Sequence, residues 1–111
     1  MKNTTTKNNP ILPLNLTRFG FDVSNPEDEE IDVESLTEIR QFIRANLEKS
    51  KTINSHIRSY GLKGYVERKL DIYIKNGDFI AAMILEEFSY KQSGLNAYFN
   101  ISEKSVKKVI F

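Results

Sequence analysis

The sequence predicts a mainly α fold, in which a small helical domain is built around a central αα-hairpin over residues 59–88. In the first half of this stretch, apolar residues recur at the spacing of one helical face: Leu62, Val66, Leu70 and Tyr73. The second half has a similar stripe: Phe79, Ile80, Met83, Ile84 and Phe88. Asn76-Gly77 is a typical helix break, after which Asp78 is expected to cap the second helix.

An extended N-terminal arm is expected over residues 1–34, followed by the helical domain over residues 35–111. Residues 1–10 are polar and of low complexity, whereas residues 11–23 alternate large apolar residues with others, a pattern typical of extended chain. Pro13 cannot donate to a β-ladder and restricts this stretch to a sheet edge. The arm either packs across the helical body or docks on a partner or a second copy by strand addition. Self-association through this arm is therefore one of the expectations.

An acidic segment begins within the arm and continues into the first predicted helix. Asp22 to Glu38 contains eight acids and no base. Ser35 and Glu38 have the spacing of a capping box, and the apolar stripe that follows predicts a helix over residues 36–49. Residues 52–58 either extend this helix or form a short turn before the hairpin.

The end of the chain predicts a short extended crossing, or possible short strand, and a final helix. Ser93-Gly94 is expected to end the second hairpin helix. Apolar and polar residues then alternate over residues 95–101, as in a strand with one buried face. Ser102 is expected to cap the last helix, in which lysines stand near the C-terminal end as the helix dipole prefers.

The composition of the 111 residues argues against catalysis. The absence of cysteine excludes disulfides and thiolate chemistry, and no apolar run reaches the roughly 18 residues that span a bilayer. His56 is the sole histidine and has no evident orienting partner. Gly61 and Gly64 lie inside a predicted helix, where they favour close packing over phosphate binding. We therefore expect a cytoplasmic protein without enzymatic activity, metal, cofactor or membrane partner.

Basic residues dominate the chain after the acidic segment. Residues 39–111 contain 13 bases and seven acids, an excess of six positive charges. Such an excess suits nucleic acid or an acidic protein, although charge runs commonly serve only to keep proteins soluble. The candidate partner-binding residues are Arg40, Arg44, Lys63, Arg68, Lys69, Lys104, Lys107 and Lys108.

The stretch FNISEKSVKKVI resembles the turn and recognition helix of helix-turn-helix regulators. The resemblance implies that Ile101 is the buried turn residue and Val106 the packing contact. It also implies a groove-facing set: Glu103, Lys104, Lys107 and Lys108. A capped amphipathic C-terminal helix gives the same letters, and the preceding NAYF is short and strand-like. A nucleic-acid-binding regulator is therefore the alternative function.

Three stretches, SYGLKGYVE, NGDFIAAMI and GLNAYFNIS, resemble a pattern of small uncharacterised proteins of phages and mobile elements. That pattern is SYGLKH, NGEFIAA and NxYFNI, and it covers residues 59–102. The sequence departs from it at Gly64, where the pattern has histidine, and at Asp78, where it has glutamate. The resemblance implies a mobile-element setting and no activity. By analogy, the expected function is non-catalytic binding that modulates a host or phage protein or nucleoprotein, such as an RNA-guided defence effector, in the manner of an anti-CRISPR.

Overall fold

The computed structural model describes residues 11–23 and 30–111. Its elements, in chain order, are β1 (Leu16–Thr17), β2 (Gly20–Phe21), a 3-10 turn (Val33–Leu36), α1 (Thr37–Asn46), β3 (Lys49–Asn54), α2 (Ser59–Leu70), α3 (Asn76–Leu85), β4 (Tyr90–Ser93), β5 (Asn96–Ile101) and α4 (Glu103–Ile110). The strands form a two-stranded and a three-stranded sheet. The prediction of a mainly α fold is therefore wrong, because helices and sheets together build a small α/β fold.

The three-stranded sheet is antiparallel and has the order β3-β5-β4. Its central strand, β5, confirms the predicted alternation, since Ala97, Phe99 and Ile101 are buried and their neighbours are half-buried. β4 and β5 form a hairpin in which Gly94 has a φ of +59°. The chain thus turns between two strands at Ser93-Gly94 and does not end a helix there. The sequence did not predict β4, because its residues, YKQS, are polar and largely exposed and show no apolar alternation.

Strand β3 occupies residues that the sequence assigned to a helix and to an ambiguous segment. α1 ends at Asn46, and Leu47 already has an extended backbone. The pairing of β3 with β5 shifts register between Lys49 and Asn54, so the strand is irregular. Lys49 and Lys51 are exposed on this sheet edge, where lysine discourages pairing with a further strand.

Helix α1 buries the apolar stripe that the sequence predicted, namely Leu36, Ile39, Ile43 and Leu47. The predicted capping box is not formed. Instead, the Asp32 side chain accepts a hydrogen bond from the Glu34 amide at 3.2 Å, and Ser35 Oγ donates to the Asp32 carbonyl at 2.7 Å. A 3-10 turn therefore leads into α1, which begins two residues after the predicted cap.

Both helices of the predicted central hairpin are present, but the break between them lies at residues 71–75. Asp71 follows α2 in the left-handed region, with a φ of +57°. Asn76 and Gly77 are the first residues of α3, so they do not form the break. Lys75 holds the cap position that the sequence assigned to Asp78. The shift leaves Tyr73 in the link, 77% exposed, although the sequence placed it in a buried stripe.

Helix α3 is the centre of the fold. Every residue from Asn76 to Ile84 is buried, because α1, α2, the sheet and the N-terminal hairpin all pack around it. The closest approach is at Gly77, whose amide donates to the Arg18 carbonyl at 2.9 Å. A Cβ at this position would lie 1.7 Å from the Thr17 carbonyl oxygen. Gly77 has a helical backbone conformation and no positive φ. Glycine is therefore required here because the two backbones are in contact and leave no space for a side chain.

The described part of the arm, residues 11–23, packs on the body of the same chain. β1 and β2 pair with each other, and Leu12, Leu16 and Phe21 are buried. Arg18 binds Asp78 of α3 at 3.1 Å. Burial raises the pKa of the Asp78 carboxyl, and the hydrogen bond from Arg18 opposes that shift. Predictions for residues 1–10 and for part of the acidic segment, residues 24–29, lie outside the described residues.

Candidate functional site

Four large apolar side chains that remain exposed come together at one cleft. Phe19, Tyr60, Tyr73 and Leu95 reach it from the N-terminal hairpin, α2, the α2–α3 link and the β4–β5 turn. The remaining lining residues are Lys63, Lys75, Asn76 and Asn96. These eight residues define what we call the aromatic–lysine cleft, which has a volume of about 270 Å³.

Ammonium groups and aromatic rings alternate along this cleft. Lys63 Nζ lies 4.6 Å from the ring centroid of Tyr60 and 5.6 Å from that of Tyr73. Lys75 Nζ lies 5.4 Å from the same Tyr73 ring and 4.9 Å from that of Phe19. The order is therefore Tyr60, Lys63, Tyr73, Lys75 and Phe19. Because cations are attracted to ring faces, the side chains hold one another in place.

The two lysines of the cleft differ in their surroundings. The Lys63 side chain is only 7% exposed, and its ammonium group binds Glu67 Oε2 at 3.2 Å. The same oxygen accepts a hydrogen bond from the Ile74 amide at 2.7 Å, which ties α2 to the link that carries Tyr73. Among residues 11–23 and 30–111, no carboxylate forms an ion pair with Lys75. Lys63 is thus a fixed, partly neutralised charge, whereas Lys75 is available to an anion.

A hydrogen-bonded polar cluster joins the elements beneath the cleft. Asn76 Nδ2 donates to Asn96 Oδ1 at 3.1 Å, and Ser59 Oγ donates to the same oxygen at 3.3 Å. Ser59 Oγ also accepts from the Ala97 amide at 3.1 Å. Asn76 Oδ1 is enclosed and accepts no hydrogen bond from the described residues. The stretches SYGLKGYVE, NGDFIAAMI and GLNAYFNIS therefore meet here, and among the described residues one acceptor, Asn76 Oδ1, has no donor.

Arg40 and Arg44, two of the predicted partner-binding residues, bind a carboxylate within the fold. Arg40 Nε lies 2.7 Å from Glu86 Oε2, and Arg44 Nη2 lies 2.8 Å from the same oxygen. Arg44 Nε also donates to Glu86 Oε1 at 2.9 Å. The Arg44 guanidinium, with Arg40 beside it, holds the pKa of the Glu86 carboxyl below its usual value. These arginines stabilise the contact between α1 and the end of α3.

Replacing Glu86 with glutamine should lower the free energy of unfolding near neutral pH by about 1 to 2 kcal/mol, because two guanidinium groups lose the negative charge and one of the two acceptor oxygens that they bind. A lowered folded-state pKa contributes stability above the unfolded-state value and loses it as pH falls. The difference in the free energy of unfolding between variant and wild type should therefore become smaller below about pH 4.3, the usual glutamate pKa. Urea unfolding at pH 7 and pH 3 measures this difference. Glu87→Gln removes an adjacent exposed carboxylate as the control, and an equal loss in both variants would contradict the assignment.

The other predicted candidates are spread over α2 and α4. Arg68 lies over the Tyr65 ring at 4.8 Å, and Lys69 Nζ donates to the Phe111 carbonyl at 3.3 Å. The lysines of α4 are exposed: Lys104, Lys107 and Lys108. Of the eight predicted partner-binding residues, Lys63 alone lines the cleft.

Helix α4 begins as predicted, since Ser102 Oγ accepts a hydrogen bond from the Ser105 amide at 3.1 Å. Ile101 and Val106 are buried, as the helix-turn-helix resemblance implied. However, the element before the turn is strand β5 and not a helix. The supporting helix of that motif is therefore missing, and α4 is a capped amphipathic helix packed on α1 and α2.

His56 is exposed, and its Nδ1 lies 3.3 Å from Glu103 Oε1, which also accepts from Asn54. Within residues 11–23 and 30–111, no three acidic or histidine side chains are grouped so that they could hold a metal ion. In the same part of the chain, no helix combines the length and apolarity that a bilayer crossing needs.

Most of the cleft escaped the sequence analysis. Tyr73 was assigned to the core because the hairpin break was placed at Asn76-Gly77, and Phe19 was treated as one residue of an extended arm. The sequence feature that indicates this surface is the interleaving of aromatic residues with lysines between Tyr60 and Lys75, which the sequence analysis did not use.

Comparison of the chain with protein-family models, curated protein sequences and solved structures gives no match. Function is therefore inferred from the geometry of the cleft.

Proposed function

We propose that this chain is a non-catalytic binding protein of a phage or mobile element, and that it modulates a host macromolecule through the aromatic–lysine cleft. The observation that supports this most strongly is the meeting of four exposed apolar side chains and two ammonium groups from separate segments. Apolar clusters with polar rims are typical of interaction sites, and tyrosine is enriched at binding hot spots.

The order already present in the cleft favours binding. Glu67 fixes Lys63, and the neighbouring ammonium groups restrain the rings of Tyr60 and Tyr73. Side chains that are restrained before binding lose less conformational entropy when a partner docks. The volume of about 270 Å³ lies just below the range of typical small-molecule sites, about 300 to 1,000 Å³. Part of a larger partner suits this cleft better than a drug-sized ligand.

The lining chemistry favours binding over catalysis. The eight residues supply phenols, amides, ammonium groups and apolar surface, and none is a carboxylate or a histidine. The Ser59 hydroxyl beneath the cleft is occupied within the fold, because it donates to Asn96 Oδ1 and accepts from the Ala97 amide. The mobile-element setting and an RNA-guided defence effector as partner are suggested by the sequence resemblance alone.

Affinity capture from an extract of the cells that carry this gene tests the proposal. The immobilised proteins are wild type, a variant with both Tyr60→Ala and Tyr73→Ala, and a Phe111→Ala control. Both tyrosines are exposed, so the fold should persist, and thermal unfolding verifies this. A partner of the cleft should be retained by wild type and by Phe111→Ala, and reduced at least about tenfold on the double variant, since hot-spot truncations cost about 2 kcal/mol or more.

Equal retention on the double variant, or equal loss with Phe111→Ala, would contradict the proposal. Replacing Lys104, Lys107 and Lys108 together with alanine provides a further comparison. Loss of partner retention with this triple variant alone would indicate that the partner binds at α4.

A further inference from the structure

We infer that the occupant of the aromatic–lysine cleft is a single strand of nucleic acid, RNA or DNA. This inference rests on the proposed function and adds the chemical class of the ligand. Proteins that bind single strands combine cationic groups, which contact phosphates, with aromatic rings, on which bases stack. The cleft has both groups in alternation, at ring-to-ammonium distances of 4.6 to 5.6 Å.

The aromatic rings offer free surface for stacking. Tyr60 is 64% exposed and Tyr73 is 77% exposed, although each ring lies beside an ammonium group. A ring this exposed retains solvent-facing surface on which a flat base can lie. A duplex, whose bases are already stacked and paired, cannot use this surface in the same way.

The ammonium groups favour a polyanion with closely spaced charges. Lys63 and Lys75 lie next to the same Tyr73 ring, so two positive charges flank the position of one stacked base. Glu67 already binds Lys63, whereas Lys75 has no ion pair with the described residues. Lys75 is therefore the lysine whose removal should change the salt dependence of binding most.

The polar cluster beneath the rings suits a nucleobase better than an acidic side chain. The Asn76 amide lacks a donor for its oxygen, and Asn96 lines the cleft beside it. The Asn76 nitrogen already donates to Asn96 Oδ1 and to the Leu95 carbonyl, so the unpaired Asn76 oxygen is the acceptor that a base amino group would satisfy. Leu95 is the single aliphatic side chain among the eight lining residues, so most of the apolar surface of the cleft is aromatic. Base, phosphate and ring chemistry are thus all present within one cleft.

Fluorescence anisotropy with labelled single strands tests this inference. The probes are oligo(U), oligo(dT) and a mixed-sequence DNA duplex, titrated with the full chain at several salt concentrations starting at about 50 mM. Wild type should bind at least one single strand more tightly than the duplex. Tyr73→Leu should weaken that binding about 5- to 100-fold, the range expected for one lost stacking contact. Phe111→Leu, an aromatic change outside the cleft, should leave binding unchanged.

Salt dependence identifies the phosphate contact. Each phosphate neutralised on a single strand contributes about 0.7 to the log-log slope, so Lys75→Ala should reduce the slope by about 0.7. Lys51→Ala, which removes an exposed lysine from the β3 edge, should not change it. A preference for oligo(U) over oligo(dT), or the reverse, identifies which strand the cleft accepts.

The inference would be overturned if neither single strand binds at about 100 μM, the weak limit of non-specific association. Equal affinity for the duplex, or an unchanged salt slope with Lys75→Ala, would also overturn it. Competition by poly-glutamate as strong as that by the single strand would assign the cleft to an acidic polypeptide. If these probes fail while cellular capture still depends on Tyr60 and Tyr73, the ligand class is wrong and the proposed binding function stands.

Discussion

Replacing Gly77 with alanine is expected to lower the free energy of unfolding by about 3 kcal/mol or more, the upper end of overpacking effects. The added Cβ would lie 1.7 Å from the Thr17 carbonyl oxygen and 2.6 Å from the Arg18 carbonyl carbon. Both obstacles are backbone atoms, which cannot move aside as a flexible side chain does. The N-terminal hairpin would have to leave α3, and the hydrogen bond from the Gly77 amide to Arg18 would break.

Gly64→Ala is the matched control, since Gly64 also lies within a helix and a Cβ there meets nothing within 4 Å. The free energy of unfolding of this variant should rise by about 0.5 to 1 kcal/mol, because alanine loses less conformational entropy than glycine when a helix forms. Urea unfolding of both variants measures the two changes. Similar stabilities for both would show that the hairpin does not pack against α3 as described. The empty space at Gly64 also corrects the expectation that this glycine permits close helix packing.

Replacing Phe79 with alanine should cost about 3 to 5 kcal/mol, a large share of the roughly 5 to 15 kcal/mol that stabilises a domain of this size. Phe79 is fully buried in α3, and its ring meets that of Phe99 edge to face, with centroids 6.4 Å apart. The change leaves a cavity between the helix and the central strand, where the close-packed surroundings can relax only in part.

Tyr73→Ala removes an aromatic ring of similar size from the exposed link and should change stability by no more than about 0.5 kcal/mol. Urea midpoints, with slopes compared to verify that the unfolding transition is unaltered, distinguish the two variants. Equal losses at Phe79 and Tyr73 would mean that the helical phase of α3, or the exposure of the link, is incorrect.

The sequence predicted α1 and α2 because their buried residues recur at helical spacing, as Ile39 and Ile43 do in α1. It missed β4, whose residues are polar and exposed, and β3, whose irregular pairing destroys strict alternation. The break of the hairpin was misplaced because Asn76-Gly77 is a dipeptide typical of turns. A distant contact with Thr17 explains that glycine, and local sequence cannot show such a contact.

The candidate site was only partly predictable from charge. Lys63, one of the eight predicted binding residues, lines the cleft proposed here. Arg40 and Arg44 were chosen without knowledge of Glu86, which lies more than 40 residues away in sequence. Tyr73 enters the cleft because α2 ends at Leu70, a boundary that the apolar pattern did not mark. A cleft assembled from four separated segments depends on tertiary packing, so its residues emerge only once the fold is known.

Photo-crosslinking from position 73 tests the central claim, that the aromatic–lysine cleft is the binding surface, most directly. Tyr73→p-benzoylphenylalanine keeps an aromatic group at the exposed rim, and Lys51→p-benzoylphenylalanine places the same group on the β3 edge as the control. After capture from the cell extract and irradiation, we expect a discrete adduct from position 73 that Tyr60→Ala strongly reduces, and no such adduct from position 51. An adduct of equal yield from both positions, or from position 51 alone, would contradict this claim.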